Sequence, residues 1–235
     1  MMNVFTFHLA NCGIAVTLRA LVRPPNSATT PGLLHAECMI PMTLGRPVAL
    51  PTRYRPDQIA LFARWENETA IDDFLATSKL GTELATGWHV RMEFLRRWGF
   101  ISQFDDLPTV ASDHDELRPV VAVTLARLKL TQAVRFIRWG KPVEQQVRDH
   151  PATTISLAAM RPLGTLSTFS IWNTQKAMTD MVNGRSQQPL ASRHANAMQE
   201  RNRKDFHHEF TTLRFRPISE HGVWQDRNRY LPKVI

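Results

Sequence analysis

The chain has 235 residues, 43% of them hydrophobic, the make-up of an ordinary globular core, which excludes a disordered or fibrous protein. Its formal charge of +8 and sequence pI near 10.2 favour anionic partners in general, but the arginines are scattered along the chain, so nucleic acid is not expected among them. Arg19, Arg23, Arg127 and Arg138 interrupt the longest apolar stretches, so no membrane span is expected, and Cys12 and Cys38 are too few for a disulfide framework, which makes a soluble protein of the reducing cytoplasm the expectation.

The first predicted element is a strand from Val4 to Ala10, followed by a helix at about Ile14 to Val22. This opening has no basic start and is broken by His8, Asn11 and Arg19, unlike a signal peptide. A strand at Leu33 to Met42 comes next. A further strand ends in Phe62-Ala63-Arg64-Trp65, a helix is marked by Ala70, Ile71 and Phe74, and a strand at Trp88 to Arg96 closes the series. The same order then returns. A strand at Val120 to Ala126 leads into a helix at Thr131 to Trp139, expected to break or kink where Gly140 and Pro142 follow. Strands at Thr153 to Met160 and up to Phe169-Ser170-Ile171-Trp172, a helix marked by Ala177, Met178 and Met181, and a closing strand at Phe206 to Phe215 complete the second series.

The shared Phe-x-x-Trp, and the common spacing of Thr6, Ala15, Val16 and Pro24 with Thr124, Ala133, Val134 and Pro142, make this an internal repeat. Each copy reads strand-helix-strand-strand-helix-strand, the ferredoxin-like unit. The expected fold class is α+β, with the two halves pairing their sheets into one antiparallel barrel, a fused pseudo-dimer that can still form a homo-oligomer. Residues 1–104 make the first half, the acidic stretch 105–118 a linker, and 119–235 the second half with a basic tail from Gly222 onward.

No Walker A loop, G-x-G-x-x-G, G-x-S-x-G or H-E-x-x-H occurs, which removes the usual signatures of several large enzyme classes. Among the nine histidines, His194 stands in a segment helical by composition, with Leu190, Ala191, Ala197 and Met198 on its face. Its imidazole is expected to meet packed material, either as a neutral axial iron ligand or as a core histidine bonded to a carbonyl. Arg127 and Arg161 stand at strand ends, placed either to meet an anionic group or bound oxygen species or to face water. His35 and Glu37 share a strand face, but two such residues do not define a metal site. His207 and His208 alternate across the closing strand, whose two faces both carry polar residues, as in a partly polar cavity wall or an edge strand. Trp65 and Trp172, at equivalent repeat positions, are expected to pack strand against helix.

Thr168-Phe169-Ser170-Ile171-Trp172-Asn173, the pair Ala177-Met178, His194-Ala195-Asn196-Ala197-Met198, Leu213-Arg214-Phe215-Arg216-Pro217 and Val123-Thr124-Leu125-Ala126-Arg127-Leu128 together give a recognisable pattern. The chain resembles the spheroidene monooxygenase family, most clearly from about 120 to 225, and through it the dimeric α+β barrel group. The resemblance implies a haem cofactor in an apolar pocket, held by His194 as the iron ligand, with Met198 and Arg193 as further cofactor-binding candidates and Arg127 and Arg161 as catalytic ones. It also implies an apolar small-molecule substrate, carotenoid-like or other, and an electron donor if the reaction is a monooxygenation. Lyase or dehydratase chemistry of the aldoxime dehydratase type, or a cofactor-free small-ligand barrel, are the alternatives on the same scaffold.

Overall fold

A computed structural model describes residues 3–112, 115–162, 164–188 and 191–233. The first half contains β1 (Val4–Asn11), α1 (Gly13–Val22), β2 (Leu33–Met42), β3 (Gln58–Trp65), α2 (Glu68–Thr77), α3 (Lys79–Ala85) and β4 (Trp88–Phe100). The second contains β5 (Val120–Leu128), α4 (Ala133–Arg148), β6 (Thr153–Met160), β7 (Thr165–Trp172), α5 (Gln175–Val182), α6 (Arg193–Arg203) and β8 (His207–Gly222). The strands close into one antiparallel barrel in the order β1-β3-β2-β6-β7-β5-β8-β4. This is the expected α+β architecture of two ferredoxin-like halves sharing one barrel. The halves meet along β4 and β8, from Trp88 beside Gly222 to Phe100 beside Phe210, and along a shorter seam where Ile40 to Met42 pair with Met160 to Ala158. Because β8 is paired on both sides, it is not an edge strand.

Strand alternation decides what fills the barrel. Phe5, Phe7 and Leu9 of β1, Phe62 of β3, Val123 of β5, Phe169 and Ile171 of β7 and Leu213 and Phe215 of β8 form one buried interior cluster. Phe7 and Phe169, from opposite halves, stack with ring centres 4.0 Å apart. The interior is a packed core rather than a pocket. One end is plugged by Phe104 and by Leu107 of the acidic connector, anchored by the two hydrogen bonds from Arg64 to Asp106 at 2.7 and 2.6 Å. The start of the stretch expected to be a linker is thus docked on the barrel, where Leu107 is buried beside Phe104 of the first half and Asp106 is held by Arg64. Tyr230 and Trp224 of the basic tail pack into the same core, with Tyr230 N donating to Glu220 Oε2 at 2.7 Å. Gly222 makes that turn possible. Its φ is +81°, and a Cβ there would lie 1.9 Å from the Gly87 carbonyl oxygen.

The repeat is visible in the helix starts. Asn67, two residues after Trp65, caps α2 by accepting from Ala70 N at 2.9 Å, and Thr174, two after Trp172, caps α5 by accepting from Ala177 N at 3.1 Å. Strand pairing corrects the spacing read from Thr6 and Thr124. Val4 lies opposite Trp65 and Val120 opposite Trp172, so Thr6 corresponds in space to Ala122 and His8 to Thr124. The helix expected to break or kink at Gly140 and Pro142 does not break there: it continues to Arg148 as α4, with Pro142 inside it. Its C-terminal half is held from outside, by Glu144 paired with Arg53 at 2.5 Å and by Gln146 Nε2 donating to the Ala191 carbonyl at 2.8 Å. Those contacts compensate for the backbone donor that proline lacks.

Candidate cofactor site

The outward faces of the two half-sheets are built on the same grid but covered differently. On the first half, neighbouring strands place Cys38, Leu61, His8 and His89 in one row and Ala36, Ala63, Thr6 and Arg91 in the next. Leu61, Cys38, His8, Ala63 and Thr6 are all fully buried, packed beneath helices whose Leu21, Ile71, Phe74 and Leu84 complete a second apolar cluster. The equivalent rows on the second half are Ala158, Thr168, Thr124 and Thr212, then Ser156, Ser170, Ala122 and Arg214. There Thr168, on a strand paired on both sides, is exposed, and Thr124, Thr212, Ser156 and Ala122 are only half-buried. Leu61 and the two histidines His8 and His89 have given way to Thr168, Thr124 and Thr212, and the helices leave these smaller side chains exposed or half-buried.

Those helices frame the uncovered face. α4 lies along β6 and packs on α6, yet Gln146 is its only buried residue, so the apolar side of α4 that carries Phe136, Ile137 and Val143 is half-exposed. At the β8 end, Phe136 contacts His207 with ring centres 5.4 Å apart, and the Arg201 guanidinium of α6 lies 4.1 Å over the Phe210 ring. A β-bulge beside Leu128 turns His207 toward these helices. His207 is buried, neither ring nitrogen has a hydrogen-bond partner among the described residues, and burial followed by the nearby Arg201 charge pushes its pKa down to about 4. The alternation of His207 and His208 in sequence did not reveal this; only the bulge does.

His194 is at the start of α6. Its backbone N–H donates to Gln146 Oε1 at 3.0 Å, and its Nδ1 lies 3.0 Å from the Val182 carbonyl oxygen at the end of α5. A carbonyl only accepts, so Nδ1 carries the proton and Nε2 carries the lone pair. Burial lowers the pKa of the ring below its ordinary value and so favours the neutral imidazole, while the Val182 bond opposes that shift. A neutral histidine whose far nitrogen is fixed by a carbonyl is the form that binds a metal. The two readings of His194, iron ligand and carbonyl-bonded histidine, are therefore compatible in one geometry. Met198 is half-buried one turn further along the same helix face, and Arg193 Nη1 reaches toward the Pro142 carbonyl and Gln145 Oε1 at 3.5 and 3.4 Å. Residues 189–190, part of the segment read as helical, lie outside the described residues.

The two arginines singled out with His194 are not brought to it. Arg127 faces the barrel interior, where its Nη2 donates to Glu37 Oε1 of the first half and Thr165 Oγ1 donates to Glu37 Oε2 at 3.0 Å. Burial alone would raise the Glu37 carboxyl, but His35 and Arg127 outweigh it and hold the pKa down at about 2. Arg127 is occupied by this ion pair across the two halves. Arg161 stands half-exposed at the β6–β7 turn, where its N–H donates to the Thr165 carbonyl at 2.8 Å, and its side chain has no hydrogen-bond partner among the described residues. Among the described residues no group of three or more His, Cys, Asp or Glu side chains could hold a metal ion by itself, and no helix is long and apolar enough to cross a membrane.

Comparison with solved structures finds an aldoxime dehydratase, OxdRE, crystallised with butyraldoxime. It is 8% identical, covers 92% of this chain and 80% of its own, and gives a TM-score of 0.54. The fold is similar to that of the aldoxime dehydratases. A second aldoxime dehydratase is likewise 8% identical, covering 92% of this chain and 82% of its own at a TM-score of 0.52. A looser match, at 5% identity and a TM-score of 0.40, covers 93% of this chain and 94% of a proposed monooxygenase of Fusobacterium nucleatum. No protein-family model matches the chain, and no curated protein matches it in sequence. At these identities the likeness is one of fold.

Proposed function

We propose that the protein is a haem-dependent enzyme that binds its cofactor against the uncovered face of the second half-sheet, with His194 as the iron ligand, and acts there on an apolar small molecule. The observation that carries this reading is the His194 geometry: a neutral ring, its Nδ1–H directed to the Val182 carbonyl, its Nε2 lone pair free of any partner among the described residues, on a helix bordering a sheet face that carries Thr168, Thr124 and Thr212. The residues present fit a flat macrocycle, because small side chains leave room and half-buried Phe136, Ile137, Val143 and Met198 offer apolar and polarisable contact.

Within this site Val182 orients the imidazole and increases its basicity, and Gln146 ties the start of α6 to α4 so that the ligand cannot rotate away. Bound haem would supply an iron centre able to activate oxygen or to accept a substrate heteroatom. The apolar helix faces would orient the substrate and exclude water. Monooxygenation of an apolar substrate, with an external electron donor, follows the resemblance of residues 120–225 to the spheroidene monooxygenase family. Dehydration of an aldoxime-like substrate is the second reading, favoured by the two aldoxime dehydratases that share the fold.

Protein expressed with haem precursor should show a Soret band and stoichiometric iron, both lost or strongly altered in a folded His194→Ala variant. Correctly folded wild type without haem under those conditions would contradict the proposal. Turnover that survives strict anaerobiosis would select the dehydratase reading over the oxygenase.

A further inference from the structure

The grid that relates the two half-sheets also relates two buried arginines. Arg91 pairs with Thr6 on the first half, and Arg214 pairs with Ala122 on the second, the same position of the repeat. Arg91 is neutralised by two carboxylates of α2: its Nη1 donates to Glu68 Oε2 at 2.8 Å and its Nη2 to Asp72 Oδ1. In α5 the Phe-x-x-Trp alignment puts Gln175 and Thr179 where α2 has Glu68 and Asp72, so both acids are replaced by uncharged residues. Among the described residues Arg214 has one hydrogen-bond partner, Thr179 Oγ1, 3.4 Å from its Nη1.

Arg214 is only 9% exposed and its Nε has no partner among the described residues. The other buried arginines, Arg53, Arg64 and Arg91, each hold a carboxylate. Arg214 instead has a second cation beside it. Arg96 lies directly across the strand pair from it, and both guanidinium carbons lie 4.2 Å from the centre of the Trp98 ring, so they cannot be farther apart than twice that distance. Arg96 Nε is also buried without a partner, and Arg96 forms no ion pair among the described residues. The adjacent Arg216, by contrast, has its own acid in Glu93. A guanidinium stays protonated near neutral pH, so a buried one with no counter-charge is costly unless an anion completes it. Burial and the Arg96 charge accordingly pull the Arg214 pKa down to about 10. Trp98 and Phe100 are 37% and 51% exposed, so the cluster opens to solvent.

We propose that Arg214 and Arg96, with Trp98 between or beside their guanidinium planes, form a binding site for an oxyanion, a carboxylate or a phosphate, in the place where the first half supplies its own carboxylates. The anion takes bidentate hydrogen bonds from the arginine forks, and an attached flat or apolar group stacks on the exposed Trp98. Its source is either a free or substrate-borne anion or the carboxylates of a cofactor lying on the same sheet face; only the second source rests on the haem reading.

The test titrates haem-free protein with inorganic phosphate and with acetate, and separately with haem and with haem dimethyl ester, following heat, Tm and tryptophan fluorescence. The decisive variant is Thr179→Asp, which restores the acid of the first half. It should raise the Tm of the ligand-free protein and weaken anion binding by about tenfold or more, the loss expected when a charge-assisted pair is competed away. Arg214→Gln should abolish binding while leaving the ligand-free Tm unchanged or higher, whereas Arg91→Gln should lower it. Phosphate or acetate binding lost in Thr179→Asp supports the site with a free anion as its ligand. A preference for haem over its ester, lost in Thr179→Asp, supports it with the cofactor as the source. Anion binding without any haem binding keeps the site and overturns the proposed function. Haem and ester bound equally, with no phosphate or acetate effect, overturns the site and leaves the proposed function standing.

Discussion

The two halves of this barrel share strand order, helix caps and the Phe-x-x-Trp packing, yet they treat their outer sheet faces in opposite ways. The first half spends its face on stability, with Leu61, Cys38 and Ala63 sealed under three helices and the buried Arg91 neutralised by Glu68 and Asp72. On the second half, Thr168 is exposed where Leu61 is 0% exposed, α4 lies along β6 with one buried residue, and Arg214 lacks the acids that Arg91 has. A duplicated scaffold can keep one copy as a support and release the other for binding. The difference lies in a few side chains at fixed grid positions, so exchanging them tests it.

The largest effect is expected from giving the first half the residue of the second. Leu61→Thr buries an unpaired hydroxyl and empties packed space, and should cost about 4 kcal/mol in urea unfolding. The reverse change, Thr168→Leu, should alter stability by no more than about 0.5 kcal/mol or increase it, because the new side chain enters open space. Next comes the ion pair that crosses the barrel. Arg127→Ala leaves Glu37 buried with only His35 and Thr165, and should cost about 3 kcal/mol without changing haem absorbance, since Arg127 does not face the His194 side. Haem binding lost in a stably folded Arg127→Ala would break the assignment of Arg127 to the support.

A smaller, pH-dependent effect comes from the buried histidines stacked across β1, β4 and β8, beside that of the buried His207. His8 stacks on His89, and His89 on His221, with ring centres 4.7 and 4.8 Å apart. Burial, then the neighbouring His89 and Arg91 charges, lower the pKa of His8 well below 6.5, and burial with His221 and Arg91 takes His89 down to about 4. The unfolded chain therefore binds protons that the folded one refuses. Their contribution is fully present above pH 6.5 and is lost as pH falls through that value toward about 4, at up to about 1.4 kcal/mol per pH unit for each histidine. Urea midpoints across that window should fall steeply in wild type and less steeply in His8→Leu. Glu37 acts in a separate window, its contribution present above about 4.5 and lost toward about 2.

Much of the scaffold was legible because hydrophobic alternation and the aromatic repeat act over short distances. β2 and β6 match their predicted limits, and Phe62 with Trp65 and Phe169 with Trp172 locate the second hairpin of each half. Pairing register was less legible. The spacing of Thr6 to Thr124 is offset by two residues from the spatial alignment, a shift that preserves strand faces and leaves the alternation pattern unchanged. His194 was singled out by apolar neighbours at helical spacing, of which Ala197 and Met198 share α6 with it, while Arg127 and Arg161 were chosen as strand-end cations, and sequence does not tell which side of a barrel wall a strand end serves. Arg214 was missed although the signal was present, since aligning Trp65 with Trp172 sets Glu68 and Asp72 against Gln175 and Thr179. Loss of an acid becomes meaningful only when the arginine it neutralised is known to be buried.

The most direct measurement of the asymmetry is haem binding by Thr168→Leu, followed by Soret absorbance titration beside wild type, with Tm measured on the same samples. If the uncovered face of the second half holds the cofactor, the variant keeps or raises its Tm and loses haem binding. Unchanged haem affinity in the folded variant would contradict the account and move the cofactor, and the function, away from that face.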